Sequence, residues 1–409
     1  MSNPSIPDLV NRISTLGSQL SESNADNEKA RRSLLTAARN LCLRLETPIE
    51  TLRRIVWSEL PLLACLQIGN DIDLFSHLGR GTNSLSQLAE TTHVDPALLS
   101  RILKHLAAVG AITETGADSY TPAPLTAAIA QEAMYRDIAQ IAFQMHQVSY
   151  AQVPKHLRET GYQNPTDPTS CPFNAAFKTA KPYFVWSKDQ PGLDEMLHNA
   201  LEGYVSDYRR WFDEGGYPVR ERLIAGFEER GGGGEEGVML VDIGGGRGRD
   251  ICAFREEFPD APGRLVLQDM ENVVAPVRDS LPKGVEGMGY DFYTTQPIKE
   301  ELSDTGAHAY YLHSVMHNLP DTACRSILSN IVPAMRKGYS KLLIHDHVIL
   351  DVGADFVATG LDFAMMTYFA GGERAESKWR RLLESEGLKI SKIWVFEEGS
   401  EKLIEAELA

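Results

Sequence analysis

Cysteine, positive charge and long apolar runs are all scarce in this chain. Its 409 residues include five cysteines: Cys42, Cys65, Cys171, Cys252 and Cys324. They are scattered, and no two stand at a metal-ligand spacing. Neither a disulfide framework nor a metal site is expected, and free thiols in a reducing compartment are. Lys and Arg number 40 against 56 Asp and Glu, a net charge of −16. Coating nucleic acid takes clustered cations, so no nucleic-acid partner is expected, and the charge reads as a solubility feature. No apolar run approaches the roughly 18 residues that cross a bilayer. The first residues carry no signal-peptide pattern, so a cytoplasmic protein without a membrane partner is expected. A Walker lysine pattern is missing, and so is the second half of a dinucleotide-binding fold.

What the chain does have is length and a 43% hydrophobic content, enough for two or three domains with a sizeable core. Residues 1–55 read as helices. Leu9, Ile13, Leu16 and Leu20 fall at helical spacing, and the pattern resumes after the polar stretch SESNADNEK. These helices serve as packing elements or as a clasp on a second subunit. Residues 56–130 read as short helices and a hairpin. LLACLQIGNDIDLFSHL is one helix. Asp95 and Pro96 open the second helix of a helix-turn-helix, as N-cap and first helical residue. AITETGADSYTPA then makes a wing. A winged helix raises the possibility of DNA binding. Its second helix, however, offers only Arg101, Lys104 and His105, and a structural or dimerisation role fits better.

Residues 131–235 read as mostly helical and rich in aromatics, among them Phe143, Phe173 and Trp186. Most such side chains are core. Some can wall an apolar substrate pocket, with His146 as one polar group in it. GFEERGGGGEEG reads as a linker.

From residue 236 strands and helices alternate to the end. That alternation predicts an α/β domain with a mostly parallel sheet and helices on both faces. VMLVDIGGGRGRD, starting at Val238, is the stretch around which the rest is organised. It reads as a buried strand, a tight glycine turn and a helix start, where missing Cβ atoms let a ligand approach the backbone. Asp242, Asp269 and Asp291 lie at or just after successive strand ends, the rim where such sheets bind ligands. Asp269 can accept both ribose hydroxyls of a nucleoside, which fits NAD as well as S-adenosylmethionine. In HSVMHNLPD, His317 stands just before a loop, placed to act as a general base near neutral pH. Asp346 and Glu373 are the candidates to orient it.

LVDIGGGRG, LQDM, YDFY, YYLHSVMHNLPD, SNIVPAMRKGYSKLLI and KIWVFEEGSEKLIEAEL together resemble the fungal branch of the plant-type O-methyltransferase family, from about Leu60 to Ala409. The resemblance implies a Rossmann-like domain over 236–409 that binds S-adenosylmethionine, preceded by an all-helical and winged-helix dimerisation domain, in a homodimer. It places Gly244, Gly246 and Asp269 on the cofactor, Asp291 and Phe292 beside its adenine, and Arg247 beside the loop. His317 falls on the family's base, and Asp346 and Glu373 fall on its two supporting acids. His146, Phe143, Trp186 and Met366 are the pocket candidates. The implied activity is O-methylation of an aromatic or polyketide-derived small molecule in secondary metabolism. Three departures stand out: Asn318 where Asp is common, Leu319 where an aromatic is usual, and Asp346 where Glu is usual. Asp is one methylene shorter, so a longer or water-mediated contact with His317 is expected. Some fungal members of the family bind S-adenosylmethionine and catalyse pericyclic reactions instead, which is the alternative reading.

Overall fold

The computed structural model describes residues 4–20, 26–79, 81–206, 209–229, 237–299, 306–396 and 401–409. It forms two compact units, Met1–Phe143 and Gln144–Ala409. The linker assigned to 226–237 lies mostly outside the described residues.

The first unit is helical with a small three-stranded sheet. Its first helix, Ile6–Gln19, starts on a reciprocal cap between Ser5 and Asp8 and buries only Leu9. A second helix, Asp26–Leu45, already begins inside the polar stretch expected to be a break. The single helix expected over 62–78 is two, Leu60–Asp71 and Leu74–Leu78. Asp73 takes a left-handed φ of 52° between them. The chain turns back there, and Gly69 leaves room for the Phe75 ring, which would lie 2.3 Å from a Cβ at that position. Asp95 accepts from the backbone N–H of Leu98 at 3.0 Å and so caps the helix Pro96–Ala108. Ile112–Gly116 and Ser119–Pro122 pair antiparallel, with Asn83–Ser84 added on the far side. Leu74, Leu78, Leu99, Leu103, Leu106 and Tyr120 form the core of this unit.

The second unit is built on a seven-stranded sheet. Its strands are β1 (Val238–Ile243), β2 (Arg264–Asp269), β3 (Val285–Gly289), β4 (Ala307–His313), β5 (Lys341–Asp346), β6 (Leu388–Val395) and β7 (Lys402–Leu408). The spatial order is β3-β2-β1-β4-β5-β7-β6. β1 to β5 are parallel, and β7 is antiparallel to both β5 and β6. β1, β2, β4 and β5 are buried along nearly their whole length, because helices cover both faces of the sheet there. Side chains alternate between two cores. Tyr310, Leu312, Leu342 and Ile344 join Trp379 on one face, and Tyr311, Leu343 and Leu240 join Trp211 and Phe254 on the other. The helix expected over VVAPVRDSL is broken into Glu271–Val274 and a 3-10 turn at Arg278–Ser280. Pro276 lies between them and has no N–H to carry a helix on.

Parallel strands aligned this way bring their carboxyl ends, Ile243, Asp269, Gly289, His313 and Asp346, to one rim. The chemistry-bearing residues lie there.

Candidate active site

After β4 the chain turns through Ser314, at a left-handed φ of 52°, into a 3-10 turn, Met316–Asn318. This turn carries His317, which is 6% exposed. Opposite it, the helix Phe356–Phe369 ends at Ala370 in the left-handed region, and the chain returns through Gly371–Arg374. Arg374–Ala375 then pairs in parallel with Val348–Ile349, just past the end of β5. That two-residue bridge holds Glu373 beside Asp346. The turns are also tied directly. Gly372 N–H donates to the His317 carbonyl at 2.8 Å, and a Cβ at Gly371 would lie 2.3 Å from that carbonyl oxygen.

The three predicted catalytic residues are therefore together. His317 Nδ1 lies 2.7 Å from Glu373 Oε1 and 3.7 Å from Asp346 Oδ1. The longer second distance is what the shorter Asp346 side chain leaves. Glu373 is itself positioned by Asp362, whose Oδ1 accepts from its backbone N–H at 2.8 Å. Burial opposes a charge on His317, but Asp346 and Glu373 outweigh it and raise the imidazole to about 9. Burial also raises the Asp346 carboxyl, against the pull of the imidazolium. Both Asp346 oxygens and Glu373 Oε2 are buried without a hydrogen-bond partner. With Nδ1 engaged by Glu373, Nε2 is the nitrogen left to exchange a proton with a substrate. Sealed acceptors beside a cation stabilise a proton arriving on that ring.

Arg374 was not singled out from the sequence. Only 4% exposed, it donates to the Met316 carbonyl at 2.9 Å, the Leu319 carbonyl at 2.8 Å and Asp321 Oδ1 at 2.9 Å. Its guanidinium lies over the Trp379 ring, 5.2 Å from the centroid. One planar fork thus brackets the His317 turn on both sides.

The predicted cofactor residues lie along the ends of β1 to β3. Gly244, Gly246 and Gly248 all have positive φ, at 73°, 60° and 87°. A Cβ at Gly245 would meet Asp242 Oδ2 at 2.5 Å. Asp242 is 1% exposed, and neither of its carboxylate oxygens has a hydrogen-bond partner. Burial, then the neighbouring Asp250, pushes its carboxyl well above the usual range. Asp269 ends β2 partly exposed. Its Oδ2 accepts from Gly246 N–H at 2.9 Å and its Oδ1 from Met270 N–H at 2.7 Å, so it faces the glycine turn in a fixed orientation. Asp291 and Phe292 follow β3, and Asp291 accepts from Tyr293 N–H at 3.0 Å. Arg247 beside the turn pairs with Asp194 at 3.6 Å.

The pocket candidates divide. Trp186 packs against Phe173 and Phe177, with centroids 5.2 and 4.8 Å away. His146 lies in a π-helical turn, Ala142–Gln147, edge-on to Tyr368 at 5.2 Å and stacked with Tyr150 at 5.7 Å. Its Nδ1 is buried without a partner, and burial holds the ring neutral, down to about 4. Met366 lies on the helix Phe356–Phe369, partly buried. Phe143 is the last residue of the first unit.

A family model described as an O-methyltransferase domain matches residues 236–389. O-methyltransferase mpaG of Penicillium roqueforti is 35% identical, over 93% of this chain and 94% of its own length. Demethylsterigmatocystin 6-O-methyltransferase of Aspergillus parasiticus is 34% identical over 84% of each. Among solved structures, LepI in complex with SAM is similar at a TM-score of 0.83 and 28% identity, over 99% of this chain and 100% of that one. A structure described as a pericyclic reaction enzyme matches at 0.83 and 27%, over 99% of this chain and 100% of that one. Strand order, the glycine turn at the end of β1 and full-length relatives of one kind agree: the chain belongs to the O-methyltransferase family.

Proposed function

We propose that the protein transfers the methyl group of S-adenosylmethionine to a hydroxyl of an aromatic or polyketide-derived small molecule, with His317 as general base. The observation that carries this reading is the buried His317–Glu373 pair, 2.7 Å apart, with Asp346 behind it at the adjoining strand end. An imidazole so held has a fixed tautomer, and its charged form is stabilised once it accepts a proton.

The residues at the ends of β1 and β2 fit the cofactor. The glycine turn admits backbone close to a ligand. Asp269, oriented by two backbone N–H groups, suits the paired hydroxyls of a ribose. Asp242 is a buried carboxylate without a donor, the group an amino-acid ammonium would answer. Asp291 and Phe292 supply a polar edge and a flat apolar face for an adenine. Bound there, S-adenosylmethionine supplies an electrophilic methyl on a sulfonium. The chain's own part is to orient the acceptor, exclude water and take the hydroxyl proton at His317 Nε2. His146, Trp186 and Met366 line the acceptor side in this reading, with His146 Nδ1 as one hydrogen-bonding group in an aromatic wall.

The likeness to the structure described as a pericyclic reaction enzyme, and to LepI in complex with SAM, supports a second reading, a pericyclase that binds S-adenosylmethionine without consuming it. There His146 or His317 would polarise a carbonyl by hydrogen bonding. The surviving histidine with both acids favours methyl transfer.

We read 236–409 as the cofactor domain, 131–235 as the pocket and linker region, and 1–55 with the winged-helix-like 56–130 as dimerisation regions. Exposed Ile49, Leu52, Val56 and Trp57, the last 67% exposed, support a homodimer.

One experiment separates the readings. The protein is incubated with labelled S-adenosylmethionine and an extract of cells lacking it. Labelled product with equimolar S-adenosylhomocysteine establishes methyl transfer, whereas a cyclised product without it establishes the pericyclase. His317→Ala should lower methylation roughly 10²–10⁴-fold while S-adenosylhomocysteine still binds. Undiminished turnover removes His317 from the chemistry.

A further inference from the structure

A second group of ionisable side chains lies beside the cofactor turn, and the reaction as described does not use it. His313, the last residue of β4, is engaged at both nitrogens. Nδ1 lies 2.5 Å from Asp250 Oδ2 and Nε2 lies 2.9 Å from Glu401 Oε2. Tyr311 donates to the same Asp250 oxygen at 2.8 Å and lies 3.0 Å from His345 Nδ1. Ser314 Oγ donates to the other Glu401 oxygen at 3.0 Å. The His313 and His345 rings stack with centroids 4.3 Å apart.

Asp250, His313 and His345 are close enough to suggest a metal centre. The hydrogen bonding argues otherwise. A histidine with a carboxylate at each nitrogen carries both protons and keeps no lone pair for a metal. His345 stays neutral, held down to about 3 by burial and then by the charge on His313. The group is a completed ion triad, one imidazolium between two carboxylates.

Its three members belong to different elements. Asp250 lies in the first turn of the helix Arg249–Glu257, which begins directly after Gly248. His313 ends β4, and Glu401 immediately precedes β7. The glycine turn is held on its β2 side by Gln268, whose carbonyl accepts from Gly244 and Gly245, and by Asp269. Asp250 is a side-chain anchor on its opposite, β4 side. Three residues of the turn need positive φ, which glycine permits but does not enforce, so the flanking anchors decide how well the turn is preorganised.

We propose that His313 is a positioning residue for the cofactor turn: clamped between Asp250 and Glu401, it ties the start of the helix after the glycines to β4 and β7, and through them sets the affinity for S-adenosylmethionine. The charge serves geometry here and does not touch the reacting atoms. Removing it leaves the buried Glu401 and the half-buried Asp250 carboxylates facing one another, and the helix start is the end free to move.

This inference rests on assigning the glycine turn to the cofactor, and calorimetric titration of the full chain with S-adenosylhomocysteine tests both. His313→Gln should bind about tenfold more weakly than the unaltered protein. His313→Arg, which keeps the charge and can face both carboxylates, should recover most of the loss. Amide exchange over Gly244–Gly248 should quicken in His313→Gln. Arg222→Gln is the control, because it removes a cation from another buried carboxylate, Glu405. It should lower the melting temperature and leave the affinity and the exchange over Gly244–Gly248 unchanged. If His313→Gln does not fold, Glu401→Gln carries the same expectation. No binding by the unaltered protein would overturn the cofactor assignment and the clamp with it. Normal binding by that protein and by the folded variant alike would overturn the clamp alone.

Discussion

A histidine raised to about 9 is a strong base that is mostly protonated at neutral pH. In the proposed reaction only the neutral ring can take the hydroxyl proton. The active fraction therefore climbs about tenfold per pH unit below the midpoint and levels off above it. A kcat/KM profile for methyl transfer should rise from pH 6 through a midpoint near 9 and level off above it. The cause of the shift supplies a second check. Glu373→Gln removes the charge at 2.7 Å while keeping the shape. The midpoint should then fall toward the ordinary histidine value, and the plateau rate should fall as well, because the imidazolium formed in the reaction loses its counter-charge. A profile unmoved by Glu373→Gln would show that the pair does not act on the reacting proton.

Between elements, the arrangement depends on how two turns are fastened together. The turn that carries His317 contributes three residues of 3-10 helix and has little cohesion of its own. Arg374 binds carbonyls on both sides of it, Gly371 lets the two turns approach to contact, and Gly372 N–H donates to the His317 carbonyl. Arg374→Lys keeps the charge but offers a single point of donation in place of a fork. It should lower kcat about tenfold through misplacement of His317. Affinity for S-adenosylmethionine should hold, since Arg374 touches none of the elements at the ends of β1 to β3. Gly371→Ala is the harsher change. Its Cβ would overlap a backbone oxygen that has no freedom to retreat, so a loss of about 1–3 kcal/mol in thermal or chemical unfolding is expected. A variant as stable and active as the parent would mean that the two turns can separate without consequence.

At the scale of the molecule, each unit has its own core, and the first leaves several large apolar side chains in solvent. Leu43 is 60% exposed, Leu52 56% and Trp57 67%. Under the proposed homodimer, light scattering should return twice the chain mass, and Trp57→Glu should shift the population toward monomer without altering the near-ultraviolet signature of the second unit. A monomer at micromolar concentration in the unaltered protein would sink that proposal. Among the described residues no helix is long and apolar enough to cross a membrane.

Much of this could be read directly from the residues. Runs such as VMLVDI and KLLIHD, each with at least three consecutive apolar residues and closed by turns, announce strands buried on both faces. An acid before a glycine cluster marks the turn, and a histidine just past the fourth strand marks the rim. Local sequence failed where a single backbone angle decided, as at Asp73, and where a proline cut a helix short, as at Pro276. It also gave no sign of the Arg374 fork or of the triad around His313. In that triad Asp250 is 63 residues from His313 along the chain, and Glu401 is 88. Strand identity and the glycine turn follow from composition and spacing, because burial and backbone freedom are properties of short stretches, and the family follows from the resemblance that the motifs carry. Which carboxylate meets which imidazole depends on sheet order, register and rotamer, and these exist only once the distant segments have packed.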